Sequence, residues 1–325
     1  MNAIEIQNLK KSFQGKKNQK TVEAVKGISL SVRRGEIFGF LGPNGAGKTT
    51  SLRMLTTLMP IDEGEVRIGP YEVKKDPGKV RRHIGYVGQL GGADLAATGR
   101  ENLILSGRLY GMTKTETVQQ AEYLTGLLDL GDIIDRLVQT YSGGQRRRLE
   151  IALGILHKPE VLFLDEPTTG LDPQNRANLW EHIRKLKAAG MTIFLTTHYL
   201  EEADELCDRI CIMDKGVIVA EGTPRELKRN ISGDVISIKP KNNQPGIAAL
   251  FGNRPEILDI RVEAGKINLY VEDGTAQLPD IFSILKTQRA ELESISLKRP
   301  SLDDVFLKQT GKSLRDIGAE KEECR

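Results

Sequence analysis

From residue 4 to about residue 230, short apolar runs alternate with longer amphipathic stretches. Ile37-Phe38-Gly39-Phe40-Leu41, Val161-Leu162-Phe163-Leu164 and Thr192-Ile193-Phe194-Leu195 are continuous runs of strand length. Strands buried on both faces read this way, so these runs predict a parallel sheet covered by helices. The helices between them carry their own punctuation. Thr113-Lys114-Thr115-Glu116 is a capping-box pattern that opens an amphipathic stretch with Ala121, Leu124, Leu127 and Leu128. A helix after Lys48 is expected to stop before Pro60, and one after Ser142 before Pro159.

Beyond Ile231 the rhythm changes. Val235 to Ile238 reads as a strand and 246–251 as a short helix. Two strands, Ile257 to Val262 and Ile267 to Val271, are joined at Ala264-Gly265, and a helix over 276–288 and a strand over 291–297 follow. The order βαββαβ predicts a small α+β domain of ferredoxin-like type. Ser301 caps a further short helix with Leu302, Val305 and Phe306 on one side, expected to dock within the same chain or dimer. The expected division is therefore 4–231, 232–310 and a charged, frayed tail over 311–325.

Composition narrows the function classes. Hydrophobic residues make up 39% and charged residues 28%, enough for a sizeable core in an ordinary globular chain. The longest apolar runs, such as Ile151 to Leu156, fall far short of the roughly 20 residues that cross a bilayer. Met1-Asn2-Ala3-Ile4-Glu5 lacks the basic-then-apolar order of a secretory signal, so a cytoplasmic chain is expected. A net charge of +3 is too balanced to suggest a nucleic-acid partner. Cys207, Cys211 and Cys324 lack zinc-site spacing and read as reduced thiols.

The chemistry is concentrated in a few motifs. Gly42-Pro43-Asn44-Gly45-Ala46-Gly47-Lys48-Thr49 fits the P-loop pattern, between a predicted strand and a predicted helix, with Thr50 next to it. Its glycines let backbone N–H groups close around phosphate oxygens at the positive end of a helix dipole. Lys48 would reach the β- and γ-phosphates of ATP, and the Thr49 hydroxyl would ligate Mg²⁺. Val161 to Leu164 ends in Asp165-Glu166, where Asp165 would hold Mg²⁺ and Glu166 would polarise the attacking water. Arg146, Arg147 and Arg148 read as the solvated face of a helix.

Ser142-Gly143-Gly144-Gln145 begins the helix that carries those arginines. Here the sequence resembles the ATP-binding cassette family, whose signature is this turn, although Tyr141 stands where the family most often has leucine. A second helix N-terminus with glycine access and a serine hydroxyl suits a γ-phosphate. The remaining motifs follow in family order. Gln89 resembles the Q-loop glutamine, which senses Mg²⁺ or water and touches the membrane subunit. Gly170-Leu171-Asp172 resembles the D-loop, His198 after Thr196-Thr197 the switch histidine, and Phe13 the aromatic that stacks on adenine.

Thr98 to Leu103, Tyr141 to Leu149, Thr196 to Asp204 and Pro300 to Phe306 resemble the daunorubicin-resistance subfamily of exporter ATPases. The resemblance covers residues 4 to about 311. It implies a P-loop NTPase cassette of α/β class, with a RecA-like core, an antiparallel β subdomain and a helical signature subdomain, followed by the ferredoxin-like domain. It further implies a homodimer, or a pair with a similar cassette, on the inner face of the membrane, serving integral-membrane permease subunits that export a drug or other amphipathic compound. A soluble family ATPase without a permease, or a subunit for a different cargo, are the other readings.

Overall fold

Among the described residues, ten strands and seven helices build the first part of the chain. The strands are β1 (Asn2–Phe13), β2 (Val22–Arg33), β3 (Ile37–Leu41), β4 (Glu63–Ile68), β5 (Tyr71–Glu72), β6 (Ile84–Val87), β7 (Val161–Asp165), β8 (Thr192–Thr197), β9 (Arg209–Asp214) and β10 (Val217–Gly222). The helices are α1 (Lys48–Leu55), α2 (Pro77–His83), α3 (Gly99–Leu109), α4 (Lys114–Leu127), α5 (Gly143–Ile155), α6 (Pro173–Ala188) and α7 (Leu200–Leu206). The structure is a computed structural model describing residues 1–14, 21–229, 234–241, 246–252, 254–263, 266–288 and 290–310. The join at Ala264-Gly265 and the tail over 311–325 lie outside these residues. Two compact units divide the chain, Met1–Glu221 and Gly222–Arg325.

In the first unit the three apolar runs lie at the centre of one sheet, ordered β10-β9-β3-β8-β7-β6. The pairs β3–β8, β3–β9, β7–β8 and β6–β7 are all parallel. All five residues of β3 and of β7 are buried, which explains their lack of alternation. Phe194 is the hub of this layer, with Phe38, Phe40 and Phe163 rings centred 5.5, 5.7 and 5.5 Å from it. A second sheet, β2-β1-β4-β5, is antiparallel. Its inward residues, among them Ile4, Leu9, Val32 and Val66, share one core with Phe38, Phe194 and the α1 residues Leu52, Met54 and Leu55. That shared core seats α1, and hence the P-loop, between the two sheets.

The helical segment is punctuated by reciprocal caps. Thr113 and Glu116 form the expected capping box at α4, where Ala121 and Leu124 are buried. Thr98–Glu101 and Ser142–Gln145 form the same motif at α3 and α5. Helices α1 and α5 end at Leu55 and Ile155, ahead of Pro60 and Pro159.

The second unit contains α8 (Pro224–Arg229), β11 (Asp234–Pro240), β12 (Ile257–Glu263), β13 (Lys266–Val271), α9 (Gly274–Thr287), β14 (Leu292–Lys298) and α10 (Leu302–Thr310). Its sheet order is β12-β13-β11-β14, antiparallel throughout, the ferredoxin-like arrangement. The first helix of the pattern is a single 3₁₀ turn, Ala248–Phe251. Phe251, Ile236, Leu269, Ile281 and Leu285 build a separate core. Leu302, Val305 and Phe306 are buried, and α10 packs on α8.

Candidate functional site

Sheet register sets the site. β8 lies between β3 and β7, with Leu41 opposite Thr197 and Asp165 opposite Thr196. The loops that leave these parallel strands therefore open side by side at their carboxyl ends, where α/β sheets take ligands. After β3 the chain turns through Gly42–Gly47 into α1. Gly47 has φ 107, and a Cβ there would lie 2.4 Å from the Ala24 carbonyl oxygen. A Cβ on Gly42 would lie 2.2 Å from the Met213 carbonyl oxygen. Any side chain at either position would displace backbone. Pro43 and Ala46 are buried, Asn44 and Gly45 form the exposed tip, and Thr49 and Thr50 are half-buried. Lys48 is buried, and its ammonium donates to the Gly42 and Pro43 carbonyls at 2.6 and 3.2 Å.

At the end of β7, the Asp165 carboxylate accepts hydrogen bonds from Thr196 Oγ1 at 2.6 Å and Thr49 Oγ1 at 3.2 Å. Glu166 then leaves the strand at φ 46, a left-handed conformation that costs a non-glycine residue about 1–3 kcal/mol. Its N–H holds the turn by donating to both the carbonyl and the hydroxyl of Thr196, each at 3.1 Å. The Glu166 carboxylate stands 3.8 Å from Lys48 Nζ and 3.2 Å from His198 Nδ1, and accepts from Thr169 Oγ1 at 3.2 Å. Burial is the strongest influence on this carboxyl and would raise its pKa. His198, Lys48 and Thr169 together outweigh it and hold the group below the ordinary carboxylate range. Glu166 is therefore a carboxyl biased toward its ionised form, facing a cation and a histidine.

The fold thus gathers Lys48, Thr49, Asp165, Glu166 and His198 from three strand ends. Thr196 and Thr169 complete the cluster and were not foreseen. The signal for Thr196 is the hydroxyl pair Thr196-Thr197 that ends β8 after the apolar run Ile193 to Leu195. Gln89 lies on an exposed loop lining a cavity of about 660 Å³ that also reaches Asp165, Tyr86 and Asn102. Phe13 ends β1 opposite Val22, two residues from the Ala24 carbonyl that backs Gly47, and is partly exposed.

The signature turn is built separately. Ser142 Oγ accepts from Gln145 N at 3.3 Å while Gln145 Oε1 accepts from Ser142 N at 2.9 Å. Ser142 and Gly143 are exposed, whereas Gly144 is buried where a Cβ would come within 2.6 Å of Asn175 Oδ1. Asp172 caps α6, accepting from Asn175 N at 3.0 Å and Gln174 N at 3.1 Å. The bonds from Asn175 lead in holding its carboxyl below the usual range. The glycines of the signature thus let it lie on the start of the helix capped by Asp172. The arginines that follow are not one solvated face: Arg147 is buried, Arg148 donates to the Leu128 and Asp129 carbonyls, and Arg146 pairs with Glu150. Solvation fails here because most of α5 is buried, leaving Arg146 and Arg148 only half-exposed.

Beneath the site lies Glu202, fully buried, accepting from Trp180 Nε1 at 3.1 Å. Burial raises its pKa against the opposing bonds from Thr197, Trp180 and Thr168. A carboxyl raised in the folded state stabilises the fold below its unfolded value, and that contribution is lost as pH rises through the folded value. Glu202→Gln is neutral at every pH and keeps an acceptor for Trp180. Its melting temperature relative to the parent is therefore expected to climb as pH increases above about 4.5, as followed by thermal melts across pH. A pH-independent difference would contradict the raised pKa.

Comparison with known proteins bears on the whole arrangement. The ABC transporter family profile matches residues 25–169, and that of the C-terminal domain of DrrA1-3-like ATP-binding proteins matches 222–310. The daunorubicin/doxorubicin resistance ATP-binding protein DrrA of Streptomyces peucetius is 40% identical over 98% of this chain and 96% of its own. The chain belongs to the ABC-transporter ATP-binding family, in its DrrA-like branch. The linearmycin resistance ATP-binding protein LnrL of Bacillus subtilis is 35% identical, covering 96% of this chain and 100% of its own. The Nod factor export ATP-binding protein I of Ralstonia nicotianae is 38% identical over 96% and 95%. Among solved structures, a dimeric ATP-binding cassette in a post-hydrolysis state bound to ADP and Pi matches with a TM-score of 0.61 and 26% identity, covering 68% of this chain and 98% of that one. The ADP conformation of another ABC-transporter cassette matches equally well, at 0.61 and 26% over 70% and 92%. The cassette is an ATPase. Among the described residues, no helix is long and apolar enough to cross a membrane.

Proposed function

We propose that two copies of this chain, or this chain and a similar cassette, close around ATP, with Gly42–Thr49 of one facing Ser142–Gln145 of the other. The observation that carries this reading is a phosphate site in two unlike halves. One is a buried glycine cradle with its lysine, the other a helix N-terminus whose serine and first glycine face solvent. Lys48 stabilises charge on the γ-phosphate in place of its present bonds to the loop carbonyls. Glu166 takes the proton of the attacking water, and His198 holds Glu166 and contacts the γ-phosphate. Gln89 positions water and reports the state of the site, Asp172 works at the dimer seam, and Phe13 stacks on adenine.

Mg²⁺ fits the residues present. Thr49 and Thr196 hydroxyls converge on a single carboxylate, Asp165, and among the described residues no group of three or more histidine, cysteine or acidic side chains could hold a metal alone. One carboxylate plus a hydroxyl leaves room for phosphate oxygens, as Mg²⁺ requires. Thr49 and Asp165 would hold it with Gln89 nearby, and it would supply charge neutralisation at the β- and γ-phosphates.

We further assign the closing and opening of this dimer to the export of a hydrophobic or amphipathic compound through separate permease subunits, with the cassettes at the inner face of the membrane. Similarity over nearly the whole chain to relatives named for daunorubicin/doxorubicin and linearmycin resistance supports this reading. Residues 4–231 are assigned to nucleotide work and 232–310 to assembly or regulation. A strain lacking the chain should accumulate such a drug, and the parent gene, but not Glu166→Gln, should restore efflux. Restored efflux with Glu166→Gln, or parental drug tolerance without the chain, would defeat the exporter assignment and favour a soluble ATPase or another cargo.

A further inference from the structure

Arg147 makes more connections than any role assigned so far requires. Its Nε donates to the Pro167 carbonyl at 2.9 Å and its Nη2 to the Asp165 carbonyl at 3.1 Å. These two carbonyls flank Glu166. Nη1 donates to the Gly88 carbonyl at 2.7 Å and to Glu150 Oε2 at 3.0 Å. Gly88 immediately precedes Gln89. On the far side of Gln89, Gly91 (φ 71) lies so close to Glu150 that a Cβ there would be 1.9 Å from Oε1. Both arms of the Gln89 turn therefore rest on the Arg147–Glu150 pair, and the same guanidinium clasps the turn that carries Glu166. Arg147 and Glu150 are both buried.

A salt bridge alone would need only Glu150. Three backbone carbonyls from two loops require several N–H donors fixed in one plane, which arginine has and lysine lacks. The guanidinium belongs to α5, five residues, or about 7.5 Å along the helix, from the Ser142 cap. We propose that Arg147 is a positioning residue for hydrolysis: it sets the Glu166 turn and the Gln89 loop from the helix whose N-terminus serves the other ATP of the dimer. A shift of that helix on closure is thereby delivered to both elements of its own chain's site. This inference rests on the roles proposed above for Glu166 and for the signature turn.

Arg147→Lys separates positioning from bulk stability, because it keeps the charge beside Glu150 but cannot span the three carbonyls. Arg147→Gln with Glu150→Gln removes both charges and serves as a second probe should the lysine variant fold poorly. Both are expected to bind a non-hydrolysable ATP analogue within about threefold of the parent. Their kcat should fall by about 10²-fold at little-changed KM, the scale of a misplaced reacting group. In a Glu166→Gln background Arg147→Lys should cost less than it does in the parent, since the part of its effect that passes through Glu166 is already lost. Parental kcat in Arg147→Lys, a fall in analogue affinity matching the fall in kcat, or a full additional loss on top of Glu166→Gln would each overturn the proposal. Parental turnover in Glu166→Gln alone would instead defeat the assignment of Glu166, leaving Arg147→Lys to decide positioning through the Gly88 carbonyl.

Discussion

Glu166→Gln is expected to lower ATP turnover by about 10²–10⁴-fold while ATP still binds. The substitution keeps the shape of the side chain and its acceptor oxygen for Thr169, and removes the negative charge. That charge stands 3.8 Å from Lys48 Nζ and 3.2 Å from His198 Nδ1, and it is what makes the group a base at neutral pH. Because His198, Lys48 and Thr169 together outweigh burial and lower its pKa, the parent carboxyl takes up its proton at a lower pH than an ordinary glutamate does. Any acid limb that Glu166 contributes to the pH–rate profile should therefore lie on the acid side of that of an ordinary glutamate. Turnover measured by phosphate release, alongside equilibrium binding of an ATP analogue, separates the two effects. Turnover within threefold of the parent would remove Glu166 as the base.

The second large effect lies in the other half of the site. Ser142→Arg places a bulky cation at the exposed start of α5, where the facing phosphates are expected, and leaves the Gly42–Lys48 cradle untouched. Hydrolysis should be abolished with ATP binding retained. Lys48→Ala should be inactive for the opposite reason, having lost the phosphate-binding ammonium. When the two are co-expressed, each mixed dimer regains one composite site with an intact P-loop and an intact signature. Random pairing should then restore about a quarter of parental turnover, if each site works alone. Mixed dimers isolated by two different tags and found inactive would count against independently working composite sites.

The sequence made the chemistry legible because that chemistry depends on backbone geometry that few residues permit. Gly42 and Gly47 sit where a Cβ would meet a carbonyl oxygen at 2.2 and 2.4 Å, so the motif cannot drift without losing the loop. The all-buried strands β3 and β7 were equally plain, since double burial removes alternation. Tertiary partners were harder to read. Arg147 looked like its neighbours Arg146 and Arg148, and only the approach of Gly88, Asp165 and Pro167 from distant segments gives it a buried role. Nothing in the local sequence marks Glu202 as buried, and its partner Trp180 stands 22 residues away in the chain. The short helix expected over 246–251 is a 3₁₀ turn, Ala248–Phe251, which seats Phe251 in the second core.

Sedimentation of the purified Glu166→Gln chain, in which closure no longer ends in hydrolysis, decides whether ATP is held between two chains. With ATP and Mg²⁺ it should sediment as a stable dimer. Adding Ser142→Arg to the same chain should prevent ATP from stabilising that dimer while each chain still binds nucleotide. An association state that is the same with ATP, with ADP and without nucleotide, or an ATP-stabilised dimer that persists with Ser142→Arg, would contradict the shared site.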